Sequence, residues 1–238
     1  MPLRDFKALT FDMYGTLIDW ETGITRALRP LTDRVGREMS RDEVLEEHAR
    51  HESYQQQATP TKRYRDVLAV VYRRLAEQWR ITVDWDECVR YGESVQEWPA
   101  FPDSAEALTY LKGHYQLFVL SNVDNESFQR SREKLGVAFD GVYSAEDIGS
   151  YKPCERNFTY MIERMASLGI DKSVILHTAE SMYHDHLPAN RAGLRSCHIH
   201  RRSQRDGYGA TMPPEETAHC EFRFDSMAEF VQAHRATL

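Results

Sequence analysis

Residues 8–17 read Ala-Leu-Thr-Phe-Asp-Met-Tyr-Gly-Thr-Leu, an apolar run followed by a carboxylate and a glycine. The run is typical of a buried β-strand, and Gly15 allows a sharp turn just beyond it. Ligands of open α/β sheets bind outside the carboxyl ends of the strands. Asp12 is therefore placed to attack an electrophile and form a covalent ester, although an Asp in such a segment can also simply close a turn.

The rest of the chain divides into a helical part and an alternating part. After the first strand, no convincing strand is found before Pro99, and helices are predicted at 21–36, 40–54, 64–79 and 84–95. Beyond residue 103, helices alternate with apolar runs that predict strands at 116–120, 141–144, 173–177 and 196–200. Such alternation is typical of a parallel sheet with helices on both faces.

The fold class is therefore predicted to be α/β, a Rossmann-like doubly wound parallel sheet with a helical insertion directly after its first strand. Residues 1–19 and 99–238 are expected to form the core domain, and residues 20–98 the inserted domain. An insertion at this point would hang over the carboxyl edge of the sheet, where Asp12 lies. A lid that excludes water strengthens the electrostatic interactions beneath it.

Composition and charge narrow the function further. The 238 residues carry a net charge of −7 and no continuous basic stripe, which argues against a nucleic-acid partner. No apolar run is long enough to span a membrane, and the polar N-terminus is unlike a signal peptide. The cysteines share no CxxC spacing and are expected to be reduced thiols of a cytoplasmic protein. They are Cys88, Cys154, Cys197 and Cys220.

Other chemically active side chains follow the later strands. Ser121 and Asn122 end the second predicted strand, where such residues also often cap a helix. Lys152 stands in a loop before Pro153, and most loop lysines are merely solvated. Residues 178–186 read Thr-Ala-Glu-Ser-Met-Tyr-His-Asp-His and follow the fourth strand. All of these segments lie where the topology places ligand-binding residues.

The order Asp12-x-Tyr14-Gly15-Thr16-Leu17 resembles the first motif of the haloacid dehalogenase superfamily, and residues 11–20 as a whole are similar to its L-2-haloacid dehalogenase branch. The resemblance implies a core of that superfamily with a helical cap, with Asp12 as nucleophile and Thr16 helping to fix it. Phosphatases of the superfamily carry a second Asp, the general acid, where this chain has Tyr14. A departing halide needs no proton, so an aromatic residue at that place favours the dehalogenase branch.

The resemblance also implies a cation supplied by the cap. Dehalogenases use an arginine from the first part of the cap to bind the substrate's carboxylate or the departing halide. Arg50 is the nearest candidate for that position, and His48 could equally take it. Arg50 could also be an ordinary surface arginine. Trp20 is expected either to wall the pocket or to pack at the start of the cap.

The later motifs complete the expected site. By resemblance, the Ser121 hydroxyl holds the substrate's anionic group, Lys152 pairs with Asp12, and Asp185 is the last acidic residue. An ammonium beside Asp12 would keep that carboxyl ionised and offset charge on a bound anion. The expected catalytic residues are Asp12, Lys152, Asp185 and Ser121. The expected substrate-binding residues are Thr16, Tyr14, Asn122, Arg50 and Ser181.

Two departures from the dehalogenase pattern raise the question of a metal. Met182 stands where dehalogenases place an Asn, and Phe158 stands where many of them carry a Tyr. In the phosphatases, acids of the last motif help to hold Mg²⁺, and Asp12, Glu180 and Asp185 could supply such ligands here. The histidines near this acid are more typical of packing or hydrogen-bonding groups than of a zinc site. They are His177, His184 and His186.

The leading hypothesis is a hydrolase of the (S)-2-haloacid dehalogenase type. Asp12 would displace halide from C2 of a short 2-haloalkanoate, a small anionic substrate, and water oriented near Asp185 would then free a 2-hydroxy acid without any cofactor. The first alternative is a Mg²⁺-dependent phosphatase in which Asp12, Glu180 and Asp185 hold the ion. The second is a non-catalytic binding module of the same fold. Relatives are often dimeric, so a homodimer is compatible with the resemblance.

Overall fold

The computed structural model describes residues 1–238 and contains one parallel six-stranded sheet. The strands lie in the order β3-β2-β1-β4-β5-β6, and every neighbouring pair is parallel. They are β1 (Ala8–Phe11), β2 (Gln116–Ser121), β3 (Gly141–Ser144), β4 (Ile175–Ala179), β5 (Arg195–Ile199) and β6 (Phe222–Phe224). The predicted α/β class and the doubly wound parallel sheet are therefore confirmed.

Helices cover both faces of the sheet because successive strand residues point to opposite sides. In β2, Leu117 and Val119 join one hydrophobic core, whereas Phe118 and Leu120 join the other. The first core includes helices α5 (Ser104–Lys112), α6 (Asn125–Leu135) and α10 (Met227–Arg235). The second includes α8 (Glu155–Ser167) and α9 (Leu187–Arg191), and a short helix α7 (Ala145–Ile148) follows β3. Burial on both faces explains why the strands read as continuous apolar runs.

Of the five helices between β1 and β2, the four that come before Pro99 are called the inserted helices here. They are α1 (Trp20–Thr32), α2 (Arg41–Ala58), α3 (Tyr64–Gln78) and α4 (Trp85–Glu93), followed by a 3₁₀ turn at Ser94–Glu97. Local signals in the sequence set their starts. The Ser40 hydroxyl accepts from the Glu43 backbone N–H, and Asp84 with Glu87 forms a complete capping box. The division of the chain into two domains at 19/20 and 98/99 stays a prediction.

The chain enters and leaves the inserted helices at one place. The Asp19 backbone N–H donates to the Pro99 carbonyl at 2.8 Å, and the Phe101 N–H donates to the Leu17 carbonyl at 3.0 Å. These bonds hold the segment that enters the inserted helices beside the segment that leaves them, directly beyond β1. The insertion is thereby anchored next to the carboxyl end of the strand that precedes Asp12.

Two strand predictions differ from the structure. β4 begins at Ile175 rather than at Ser173, because the Asp171 side chain accepts from the Ser173 backbone N–H and starts a 3₁₀ turn at Lys172–Val174. His177 therefore lies in the middle of the strand and not at its end. The edge strand β6 was not predicted, since three half-exposed residues give too short a pattern to detect.

No helix in the structure combines the length and the apolar character that crossing a membrane requires. All four cysteines are free thiols, as the sequence predicts.

Candidate active site

Lys152 is the centre of the polar cluster at the carboxyl edge of the sheet. Its ammonium donates to Asp12 Oδ1 at 2.8 Å, to Asp185 Oδ1 at 2.6 Å and to the Leu120 carbonyl at 2.9 Å. The side chain is only 1 % exposed. The charge of its two carboxylate partners raises the pKa of Lys152, although burial alone would lower it. The structure thus brings together three residues that lie far apart in the sequence.

Asp12 is positioned on both of its oxygens. Oδ1 accepts from Lys152, and Oδ2 accepts from the Thr16 hydroxyl at 2.9 Å. The Thr16 oxygen in turn accepts from the backbone N–H of Glu180 at 2.9 Å. Burial raises the pKa of Asp12, and the charge and hydrogen bonds of Lys152 and Thr16 act against that shift. Thr16 is fully buried, and its hydroxyl contacts the Asp12 carboxylate that the resemblance expects it to help fix.

The turn after Asp12 depends on Gly15. Its φ of +94° is a conformation that residues with a Cβ rarely adopt, and a Cβ there would lie 2.9 Å from Nε1 of the Trp20 indole. Trp20 can pack directly on the glycine for this reason. Its ring lines the cavity beside Asp12, so it walls the pocket.

Asp185 is held on one oxygen and free on the other. Oδ1 accepts from Lys152 and also from His177 Nε2 at 3.0 Å. Since a carboxylate only accepts, Nε2–H of His177 donates to Asp185, and Nδ1 of the same ring lies 2.8 Å from the Thr10 hydroxyl. Burial would raise the pKa of Asp185, but the charge of Lys152 and the contacts of His177 lower it well below its usual range. Oδ2 is buried without a hydrogen-bond partner.

His177 hydrogen-bonds a site residue, in agreement with the packing or hydrogen-bonding role that the sequence predicts. Its position differs from the prediction, because it lies inside β4, opposite Thr10 of β1, and not at the strand end. Phe158, which stands where a Tyr was expected, packs edge-on against the His177 ring with a centroid distance of 5.3 Å. A polar side chain in the middle of a buried strand, eight residues before Asp185, was the only available signal.

Ser121 is the last residue of β2 and Asn122 follows it, and the two side chains differ in what they contact. The Ser121 hydroxyl is buried without a partner and lines the cavity beside Asp12. The Asn122 side chain is bonded to the Lys152 backbone in both directions, with its Nδ2 donating to the carbonyl at 2.9 Å and its Oδ1 accepting from the N–H at 2.7 Å. Asn122 therefore fixes the loop that carries Lys152, while the Ser121 hydroxyl is available to a ligand.

Ser181 and His184 form the opposite wall of the cavity. The Ser181 hydroxyl caps a π-helical turn at Met182–His186 by accepting from the His184 backbone N–H at 3.0 Å. The His184 Nδ1 lies 3.2 Å from the Thr211 hydroxyl. Burial lowers the pKa of His184 to about 4, so the ring is neutral near pH 7.

Tyr14 lies in the cavity wall but does not offer its hydroxyl to Asp12. The hydroxyl is 2.8 Å from the Ser131 hydroxyl of α6, and the ring stands edge-on to Trp98 at 5.7 Å. Burial raises the pKa of Tyr14 above its ordinary value. Where superfamily phosphatases place their general acid, this protein presents an aromatic ring whose hydroxyl already has a partner.

The inserted helices close the cavity with residues that the sequence did not single out. They are Glu52 and Gln56 of α2 and Tyr64 of α3. The volume of this cavity is about 20 Å³, which is room for about one water molecule. Glu52 and Gln56 are four residues apart and so share a face of α2 with His48. Polar residues at every fourth position of α2 are the sequence pattern that could have indicated this cavity wall.

Arg50 does not reach the cavity, which corrects its assignment as a substrate-binding residue. Its side chain is 60 % exposed and pairs with Glu47 at 2.7 Å on the outer side of α2. Residues two apart on a helix point in different directions, so Arg50 cannot share the face of Glu52. His48, the alternative, is buried, and burial lowers its pKa to about 3. The inserted helices therefore supply no cation here.

The predicted Mg²⁺ ligands do not come together. Glu180 lines a separate cavity of about 340 Å³ with Arg201 and Arg202, and it does not line the cavity beside Asp12. Asp12 and Asp185 are instead joined by the Lys152 ammonium, which takes one oxygen of each. No group of three His, Cys, Asp or Glu side chains is arranged to hold a metal ion. The residues present fit neither the three-carboxylate Mg²⁺ site nor a zinc site.

Comparison with known proteins gives relatives over nearly the whole chain. The family model described as haloacid dehalogenase-like hydrolase matches residues 6–180. A curated relative, (S)-2-haloacid dehalogenase 4A of Burkholderia cepacia, is 27 % identical over 94 % of this chain and 92 % of its own length.

Solved structures share the fold at lower identity. The L-2-haloacid dehalogenase of Xanthobacter autotrophicus with covalently bound chloropropionic acid superposes with a TM-score of 0.77 at 18 % identity, covering 98 % of this chain and 100 % of the other. A putative HAD hydrolase of Bacillus subtilis bound to magnesium superposes with a TM-score of 0.73 at 17 % identity, covering 97 % and 99 %. The sequence match and the shared fold lead to one conclusion: the chain belongs to the haloacid dehalogenase-like hydrolase family.

Proposed function

We propose that this protein is a hydrolase of the (S)-2-haloacid dehalogenase type, which displaces halide from a short 2-haloalkanoate through an ester on Asp12. The main support is that Asp12 lies in a small cavity in which Tyr14 replaces the acid that protonates a phosphate ester's leaving group. A halide leaves with the bonding electron pair and needs no proton. The curated relative's name supports the (S)-2-haloacid substrate class.

In the first step, an oxygen of Asp12 attacks C2 of the substrate opposite the halogen. The oxygen–carbon bond forms as the carbon–halogen bond breaks, and halide departs. Lys152 and Thr16 keep the carboxylate in one orientation by bonding both of its oxygens. This fixed orientation lowers the entropic cost of reaching the reactive geometry.

In the second step, water attacks the carbonyl carbon of the Asp12 ester. Asp185 Oδ2, which has no partner in the protein, is the acceptor that orients this water and takes its proton. Lys152 offsets the negative charge that develops on the carbonyl oxygen. The ester's bond from the carbonyl carbon to the substrate oxygen then breaks, and the proton on Asp185 passes to that oxygen to give the 2-hydroxy acid. The new Asp12 carboxyl releases its own proton to solvent, which restores the carboxylate. Neither step uses a metal or an organic cofactor.

The test is halide release from (S)-2-chloropropionate by protein treated with EDTA. Release that persists without metal and disappears in Asp12→Ala is the expected result. Asp33→Ala serves as the matched control, because Asp33 is an exposed aspartate outside the cavity. Halide release by Asp12→Ala protein contradicts the ester mechanism. Hydrolysis of a phosphate ester that returns only with Mg²⁺ indicates the phosphatase alternative instead.

A further inference from the structure

The wall that faces Asp12 from the inserted helices carries a carboxyl group. Glu52 is 3 % exposed and lines the cavity together with Asp12 and Lys152. Its Oε1 accepts from the Tyr64 hydroxyl at 2.7 Å. Its Oε2 makes no hydrogen bond within the protein, and Nδ1 of the His48 ring lies 3.9 Å away. One oxygen of Glu52 is therefore held, and the other is free to bond a ligand.

No positive charge compensates Glu52. The groups packed around it are His48 and Gln56 on its own helix, Tyr64 of α3, Tyr91 of α4 and Tyr14 from the loop after β1. Tyr151, in the loop before Lys152, also influences it electrostatically. None is cationic near pH 7, since burial lowers the pKa of the His48 ring to about 3.

Across the cavity, the charges are already unbalanced toward negative. Lys152 faces two carboxylates, Asp12 and Asp185, and is hydrogen-bonded to both. An ionised Glu52 would add a third negative charge, and the substrate's own carboxylate a fourth. Buried like charges disfavour each other strongly in such a low-dielectric site. Separately from these charges, burial raises the pKa of Glu52 to about 7, while the hydrogen bond from Tyr64 acts against the rise.

We propose, on the basis of the proposed dehalogenation, that Glu52 binds the substrate's carboxylate as a neutral carboxylic acid, with Oε2–H donating to a carboxylate oxygen while Tyr64 holds Oε1. Glu52 then binds the substrate's carboxylate through a hydrogen bond, in place of the ion pair expected with a cation of the cap. Its ionised form accepts hydrogen bonds only and repels the substrate. Binding of a 2-haloalkanoate is therefore linked to protonation of Glu52.

The consequence is a substrate-dependent pH profile. The carboxyl group of a 2-haloalkanoate is ionised throughout the neutral range, so the substrate does not change its charge there. KM for the acid is expected to rise about tenfold for each pH unit above the point at which Glu52 loses its proton. A neutral carboxamide substrate can instead donate its N–H to ionised Glu52, and its KM should stay nearly constant.

The experiment compares KM for (S)-2-chloropropionate and for 2-chloropropionamide from about pH 5.5 to about pH 9. Wild-type protein should show the rise for the acid and not for the amide. Glu52→Gln should give a flat profile for the acid, because the glutamine N–H donates at every pH. Glu46→Gln, on the exposed side of the same helix, is the matched control and should behave like wild type.

Equal pH dependence of KM in wild type and Glu52→Gln overturns the role of Glu52, as does an equal rise for acid and amide. In either case halide release remains and the proposed function stands. Absence of halide release from both substrates by wild-type protein contradicts the function instead. Should Glu52→Gln not fold, Tyr64→Phe gives a second test: loss of its hydrogen bond raises the pKa of Glu52, so the rise in KM should begin at higher pH.

Discussion

At the scale of single residues, Lys152 has the largest electrostatic role. It is the only cation among the cavity residues, and it bonds two buried carboxylates. Removing one partner from a buried charge cluster leaves uncompensated charge. Lys152→Met should lower the free energy of unfolding by about 3–5 kcal/mol near pH 7, measured by urea denaturation.

A matched control for that prediction is Lys112→Met. Lys112 also bonds an aspartate, Asp140, but both side chains are about one third exposed, at 34 % and 32 %. Its loss should lower the free energy of unfolding by about 1 kcal/mol or less. Equal losses in the two variants would contradict a special cost of the buried cluster.

A substitution at Asp185 should affect ester hydrolysis and leave ester formation in place. Its free Oδ2 is the proposed base for water, and it takes no part in the attack on C2. Asp185→Asn should therefore still form the ester but hydrolyse it at least about 100-fold more slowly. Intact-mass spectrometry after mixing with (S)-2-chloropropionate should show the added alkyl group. Asp12→Asn should show no adduct, and an unmodified Asp185→Asn protein that still turns over argues against the assigned role.

Glu52 also makes stability depend on pH. Its pKa lies near 4.5 in an ordinary environment and rises to about 7 in the folded protein, so the folded state binds the proton more tightly. The cost of ionising it is absent below about pH 4.5, grows as pH rises and is complete above about pH 7, at about 3 kcal/mol.

Glu52→Gln removes this cost. Its stability relative to wild type should improve by up to about 3 kcal/mol between about pH 5 and about pH 8, measured by urea denaturation. Glu46→Gln should show no such pH-dependent difference. A Glu52→Gln difference that is the same at both pH values would indicate that the carboxyl does not change its protonation in this range.

At the scale of secondary-structure elements, the pairing of β1 with β4 supports the base. Thr10 and His177 are direct partners in these strands, and their side chains continue the hydrogen-bond chain that ends at Asp185. His177→Leu should slow ester hydrolysis more than ester formation, in single-turnover measurements of each step. In Thr10→Val His177→Leu the effects on hydrolysis should be less than additive, since both act through one chain. Fully additive effects would contradict that coupling.

The elements also show where sequence reasoning reached its limit. Ser40 and Asp84 mark the starts of α2 and α4, because an N-cap is recognisable from a few neighbouring residues. The buried face of α2 has no such signal, since its burial is largely polar, with Glu52 and Gln56 inside. Without an apolar stripe, the sequence does not show which face of a helix is buried. The sequence therefore allows Arg50 as a candidate, although its side chain lies on the exposed face.

At the scale of the whole molecule, the order of the strands made the fold predictable, and with it the part of the site that the sheet supplies. Asp12 and the segment that carries Asp185 each follow a strand, Ser121 ends one, and the parallel sheet brings those strand ends to one edge. The other half of the cavity depends on how the inserted helices pack over that edge. This packing depends on tertiary contacts. The sequence alone therefore predicts neither that Glu52 lines the cavity beside Asp12 nor that Glu180 lines a different one.

The size of the cavity beside Asp12 has a consequence for use of the protein in mixed solvents. Its volume of about 20 Å³ admits about one water molecule even without a bound ester. A 2-haloalkanoate is several times larger than a water molecule, so the inserted helices have to move away from the sheet edge before it can reach Asp12. Turnover in glycerol–water mixtures should therefore slow as the viscosity rises, whereas hydrolysis of an ester already formed on Asp12, which needs only water, should not.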